Sequence, residues 1–314
     1  MKMRQLGQSQ IEIPPVVFGG NVFGWTVDET ASFRLLDELI DVGLNAIDTA
    51  DVYSAWVPGH TGGESETILG KWMRARNNRD RVTIATKVGM AMGTNKGLSA
   101  NWIAEAVEAS LRRLQTDCID LYQAHVDDTE VPLEETLGAF SRLIEAGKVR
   151  AIGCSNYTAE RLQAALDISR RHGLPRYESV QPQYNLIHRN EFEGNLAELC
   201  AHETIGSISF FGLAAGFLSG KYRTSADLKK SSRGNRVAGM MNERNLAILD
   251  VLIDVARAEH ATPSSVATAW LISRPHLTAP IVSATSSAQL QEIVGAVSLE
   301  LSPESLRALE AVSA

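Results

Sequence analysis

No two cysteines in this chain form a C-x-x-C pair, and none of the three, Cys118, Cys154 and Cys200, has metal-type spacing. An odd count without a motif reads as small buried hydrophobes in a reducing compartment, and it excludes a disulfide framework and a metal site. A basic excess is missing too. The formal net charge is −7 and the bases are scattered, so nucleic acid and an anionic membrane surface have no electrostatic footprint here. No apolar run of about 18 residues is present to span a bilayer. The start, MKMRQLGQSQIEI, alternates in polarity where a signal peptide has an apolar block, and the expected location is the cytoplasm. Also absent is a G-x-G-x-x-G after the first strand candidate, which removes the pyrophosphate-binding turn of an open, doubly wound dinucleotide fold.

What is there, in 314 residues of which 44% are hydrophobic, is a regular alternation of short β-rich runs and amphipathic helical stretches. The strand candidates are Pro14–Gly20, Asn45–Asp51, Arg81–Lys87, Cys118–His125, KVRAIGCSN, YESVQPQYN, TIGSISFFG and TAPIVSA. Between them, helical spacing predicts helices from about Asp28, over Glu64–Arg76, from Ser99, from Pro132 in a first turn to a stop at Gly147, over Glu160–His172 and over Phe192–His202. Two more helices, Asn242–Glu259 and Pro263–Ile272, precede the last strand, and a helical stretch over Pro303–Val312 ends the chain. Eight strands with intervening helices and no linker predict a single domain, residues 1–314, folded as an α/β (β/α)8 barrel of the TIM type. Met1–Ile13 reads as a hairpin turning near Gly7-Gln8 and capping the barrel floor. The stretch Leu213–Met241 is too long for an ordinary connection after the seventh strand and is expected to fold over a ligand.

Four polar residues fall at or just past the C-terminal ends of consecutive strand candidates: Asp48 and Tyr53, Lys87, and His125. That rim is where barrels of this kind build their sites. A free phenol has a pKa of about 10 and is a poor acid near neutrality, so a neighbouring ammonium is needed to favour its anion. Lys87 can supply that charge, Asp48 can hold the ammonium, and His125 can orient a carbonyl oxygen. Taken singly each has an ordinary explanation, as a cap, a core ring, a solvated charge or a structural histidine; their conjunction on neighbouring strand ends favours a site. Trp25 and Trp56 are the candidate walls of a substrate pocket for an aromatic or apolar carbonyl compound, or for a sugar stacked on indole.

At these residues the chain resembles the aldo-keto reductase superfamily. GLNAIDTADVYS is similar to the segment with the catalytic Asp and Tyr, TKVG to the lysine strand, and IDLYQAHVDD to the histidine stretch, and the likeness runs over essentially the whole chain. The resemblance implies an oxidoreductase that interconverts carbonyls and alcohols with NADP(H), NAD(H) being the other possibility, and with Tyr53 as general acid/base. It implies Gly20 and Asn21 among the cofactor-binding residues, and Ser155, Asn156 and Gln181 beside the nicotinamide, with Phe210 stacked on that ring. It places Leu213, Gly216, Lys221 and Arg233 along the pyrophosphate, and Ser283, Thr285, Gln289 and Glu292 at the adenosine end. The chain departs from the family pattern at Phe211-Gly212, Ser283 and Ile293, where Ser-Pro, Gly and Asn are usual, and carries no base between Ser283 and Ile293. Two other readings stand beside this one: a cofactor-loaded regulatory or sensor subunit with slow turnover, like the potassium-channel β subunits, and a Schiff-base aldolase using Lys87.

Overall fold

The computed structural model describes residues 1–230 and 233–314. It opens with a two-stranded antiparallel hairpin, β1 (Arg4–Gln5) and β2 (Glu12–Ile13), with Arg4 opposite Ile13 and Gln5 opposite Glu12. Eight parallel strands then close on themselves: β3 (Val17–Gly19), β4 (Ala46–Asp48), β5 (Thr83–Val88), β6 (Ile119–Ala124), β7 (Val149–Ser155), β8 (Tyr177–Gln181), β9 (Gly206–Ser209) and β10 (Ala279–Val282). Sequence order is spatial order, and β10 bonds to both β9 and β3. Consecutive strands are joined by α1 (Glu29–Asp41), α2 (Glu64–Arg76), α3 (Ala100–Leu114), α4 (Leu133–Glu145), α5 (Ala159–His172) and α6 (Asn195–Glu203). The stretch after β9 holds α7 (Gly234–Ala238), α8 (Glu243–Ala258) and α9 (Pro263–Ile272); α10 (Ser287–Ser298) and α11 (Pro303–Ser313) follow β10.

The helices begin where side-chain oxygens can take up orphan backbone N–H groups. Asp28 accepts from Ala31, Ser99 from Trp102, Thr158 from Arg161, Thr262 from Ser265 and Ser302 from Ser305. Two boundaries differ from expectation. Pro132 is the cap of α4 and stands outside its first turn. The helix expected from Phe192 starts at Asn195, after Gly194 with φ 93°, while Phe192 is buried against Tyr184. At Gly70 a side chain would stand 2.1 Å from the Arg113 carbonyl oxygen, so α2 and α3 approach backbone to backbone, and only glycine permits it.

Two cores result. The larger lies between the barrel and its helices. The smaller lies inside the barrel, where Val17, Ala46, Ala85, Leu121, Ala151, Ile208, Ala279 and Ile281 meet Leu6, Ile11 and Ile13 of the hairpin. The hairpin therefore plugs the floor, and Arg4 fixes it there by donating to the carbonyls of Ile272, Leu277 and Thr278. The long stretch after β9 is partly ordered into 3-10 turns over Ala214–Ser219 and Ser225–Lys230 and the short α7. Of the SSRG segment singled out in the sequence, residues 231 and 232 lie outside the described residues. Among the described residues no helix is long and apolar enough to cross a membrane.

Candidate active site

Along a strand side chains alternate between faces, so residues two apart share the barrel interior. Two positions beyond the apolar floor, the same inward rows turn polar: Ala46 gives way to Asp48, Ala85 to Lys87 and Leu121 to Gln123, and on β8 Gln181 follows Ser179. These side chains converge at the mouth. Lys87 Nζ, fully buried, donates to Asp48 Oδ2 at 2.6 Å, to the Thr49 carbonyl at 2.8 Å and to Tyr53 Oη at 2.9 Å. All three protons of the ammonium are thereby used, and one of them is committed to the phenol. Tyr53 Oη also lies 3.3 Å from Asp48 Oδ2.

The other carboxylate oxygen of Asp48 is held by two amides, Gln181 Nε2 at 2.9 Å and Gln123 Nε2 at 3.3 Å, and Gln181 Nε2 also reaches Gln123 Oε1 at 3.2 Å. Gln123 escaped the sequence reading although it stands on the inward row between Leu121 and His125; the period-2 alternation of IDLYQAH was the signal that could have found it. Gln181 carries its amide on Asp48, a contact that the sequence reading did not anticipate. His125 follows β6, its ring centroid 6.1 Å from that of Tyr53, and its buried Nδ1 has no hydrogen-bond partner among the described residues.

Burial dominates the electrostatics. It raises the Tyr53 phenol well above its ordinary range, and the Asp48 charge adds to that rise. Burial also lowers Lys87, against which the Asp48 carboxylate works to keep the ammonium charged. The His125 imidazole is held well below its usual value, first by burial and then by the Lys87 charge, and is neutral at pH 7. The arrangement is therefore a protonated phenol beside a buried ammonium with a neutral imidazole next to it, which can deliver a proton to an oxygen at the mouth.

The turn carrying Tyr53 is fixed to the end of β3. Ser65 Oγ donates to the Gly20 carbonyl at 2.8 Å and lies 2.8 Å from Thr49 Oγ1, and Ser54 Oγ donates to the Phe23 carbonyl at 3.1 Å. Above it, Trp56 meets Tyr53 edge to face at 5.9 Å between centroids and Trp25 at 5.5 Å, with 48% of Trp56 exposed. Both sequence-predicted tryptophans thus stand in one aromatic wall beside the phenol.

The candidate cofactor residues lie around the same mouth. Asn156, with φ 60°, donates to the His125 carbonyl at 2.9 Å and to Ser155 Oγ at 3.1 Å, and Ser155 Oγ donates to the Gln181 carbonyl. Phe210 packs on the inner core and on Phe211. Ser283 Oγ donates to the Gly19 carbonyl and to Asn21 Oδ1, both at 2.8 Å. Gln289, in the first turn of α10, accepts from the Thr285 amide at 2.8 Å. Glu292 lies one turn on and is half-buried. Leu213 caps the first 3-10 turn after β9 and Gly216 lies within it, with φ 93°. Of the cations that follow on this stretch, Lys221 stands over the Tyr222 ring, Arg233 over Trp25 and Arg236 over Phe211. In-plane hydroxyl and amide groups, an aromatic face and a run of cations are the donor set that an amide-bearing ring joined to two phosphates requires, so the residues present fit a nicotinamide dinucleotide. Arg233, expected only on phosphate, also reaches the aromatic wall at 5.1 Å from the Trp25 centroid.

Comparison with known proteins agrees with this geometry. The family model described as the Aldo/keto reductase family matches residues 15–314. The chain is 31% identical over 341 residues to the protein tas of Escherichia coli (strain K12), covering 99% of this chain and 97% of that protein. It is 30% identical over 340 residues to versiconal hemiacetal acetate reductase of Aspergillus parasiticus, covering 99% and 96%. It is also 31% identical over 326 residues to a putative voltage-gated potassium channel subunit beta of Schizosaccharomyces pombe, covering 98% and 92%.

Proposed function

Since this chain belongs to the aldo/keto reductase family, we propose that it is a cytoplasmic, one-domain NADP(H)-dependent reductase of small carbonyl compounds in which Tyr53 is the acid. The observation that carries this reading is the short chain of contacts from Asp48 through Lys87 Nζ to Tyr53 Oη, at 2.6 and 2.9 Å. Bound nicotinamide would supply the hydride to the carbonyl carbon. Tyr53 gives its proton to the oxygen that gains charge, and Lys87 stabilises the phenolate left behind. Asp48 keeps Lys87 charged, and Gln123 and Gln181 keep Asp48 in place. His125, neutral, orients the carbonyl oxygen. Alignment of the two reactants supplies much of the rate, and the positioned acid adds roughly 10²–10⁴-fold.

Ser155 and Asn156 would hold the carboxamide and Phe210 the ring, with Lys221 and Arg233 on the phosphates. The preference for NADP(H) over NAD(H) rests on those loop cations. Trp25 and Trp56 favour substrates with an apolar or stackable face. The test is fluorescence titration of the purified protein with NADPH and NADH, followed by steady-state oxidation of NADPH over a panel of aldehydes, ketones and aldoses. Tighter binding of NADPH with sustained turnover is expected. A single stoichiometric oxidation would instead make the chain a cofactor-loaded regulatory subunit, and borohydride trapping of substrate on Lys87 without nicotinamide would make it an aldolase.

A further inference from the structure

Behind the Lys87–Tyr53 pair is a second set of buried ionisable groups that the chemistry above leaves unused. Asp51 is 1% exposed, and among the described residues no side chain donates to its carboxylate, whose one neighbouring donor is the Val52 N–H. Glu66 of α2 is fully buried, its Oε1 accepting from Thr86 Oγ1 at 2.6 Å and its Oε2 from Arg113 Nε at 2.7 Å. The Tyr122 hydroxyl of β6 is buried there without a partner as well. Thr86 and Tyr122 alternate along their strands with the inward Lys87 and Gln123, so the cluster sits on the outer face of the barrel wall. The groups whose charges bear on Asp51 are Glu66 from α2, Arg113 from α3 and Lys87 from β5, and the charge of Asp51 bears in turn on Tyr122.

Asp51 is also tied to the catalytic pair through the backbone. Its N–H donates to the Lys87 carbonyl at 3.3 Å, and it stands two residues before Tyr53 in the same turn. We propose that Asp51 is a positioning residue for the acid–base step, acting through Lys87 on Tyr53, so that the gain or loss of its charge changes how readily Tyr53 parts with its proton. The inference rests on the reading of Tyr53 as the acid.

The arrangement of charge behind the wall supports it. Arg113 Nε is engaged by Glu66, and a buried carboxylate with no side-chain donor is disfavoured. Burial, reinforced by the Glu66 charge, pushes Asp51 up to about 7. Below that pH the group is neutral; above it a further negative charge bears on Lys87 and supports its ammonium. His125 is held well below its ordinary value, so it does not titrate in this range.

The experiment is the pH profile of kcat/KM for alcohol oxidation, in which Tyr53 must act as the base. The wild-type rise with pH should carry an inflection near 7, where Asp51 ionises. Asp51→Asn should abolish the inflection. Glu66→Gln, which keeps Asp51, should move it down by about one pH unit. A uniform loss at every pH in Asp51→Asn with the inflection retained would overturn the proposal, because a merely structural residue behaves in that way. If Asp51→Asn does not fold, an unmoved inflection in Glu66→Gln overturns it equally. Tyr53→Phe measured in parallel separates the two readings: full turnover in that variant refutes the acid assignment itself, whatever Asp51 does.

Discussion

The floor and the mouth of this barrel are built from the same strands, only two residues apart, and they have opposite chemistry. At the floor Ala46, Ala85, Leu121 and Ala151 present carbon to the hairpin residues Leu6, Ile11 and Ile13. At the mouth Asp48, Lys87, Gln123 and Gln181 present charge and amide to one another. The floor needs only exclusion of water, which shape and area provide. The mouth keeps an ion pair dry, which is tolerable only because Asp48 and Lys87 have six hydrogen bonds to other groups or each other in near-complete enclosure. Stability and chemistry are thus segregated along the barrel axis, and substitutions at the two ends should separate them.

The largest separation is expected from Tyr53→Phe, which removes the proton donor and keeps the ring. Steady-state turnover should fall by roughly 10²–10⁴-fold with the unfolding midpoint little changed. A fall in stability matching the fall in rate would break the contrast. At the other end, Leu121→Ala empties part of the floor and should cost about 2–5 kcal/mol in denaturant unfolding, while kcat per folded molecule survives. A collapse of kcat there would mean that floor packing sets the geometry of the mouth.

Asp51 sharpens the comparison, being buried like the floor and charged like the mouth. Its folded value of about 7 lies above the unfolded carboxylate value, so the native state binds the extra proton between them. The stability this gives is fully present below pH of about 4 and is lost as pH rises to about 7. Relative to the wild type, Asp51→Asn should therefore gain on the order of 2 kcal/mol between pH 5 and 8, read by chemical denaturation at each pH. A difference that does not move with pH would place the proton elsewhere. The smallest effect is expected far from both ends: Asp28→Ala removes the cap of α1 and should cost about 1 kcal/mol with kinetics unchanged.

The strand–helix alternation was legible in the sequence because most strands are short β-branched or apolar runs and α1, α3, α5, α9, α10 and α11 are announced by a capping Asp, Ser or Thr. The hairpin over the floor was legible for the same reason. Asp48, Tyr53, Lys87 and His125 could be picked out by their places at strand ends, and the structure brings them within one hydrogen-bonded or ring-contact group. Gln123 was missed because an amide in a β run has no signature until its row is known. Asp51, Glu66 and Arg113 were missed because their meeting depends on the approach of α2 to α3 at Gly70, a tertiary contact with no local pattern. Pro132 and Phe192 misled at helix starts: a proline can cap as well as begin a helix, and a buried ring can belong to the turn before one.

The Arg4 side chain, bonded to the carbonyls of Ile272, Leu277 and Thr278, joins the first residues of the chain to nearly the last strand. A ribosome making this protein must therefore release most of its length before the cylinder can shut, because β3 finds its second neighbour only in β10. Until then two sheet edges stay open, the condition under which β-rich intermediates self-associate. Sequence-distant closure of this kind is slow, and slow refolding, with aggregation that rises with protein concentration, is its expected signature.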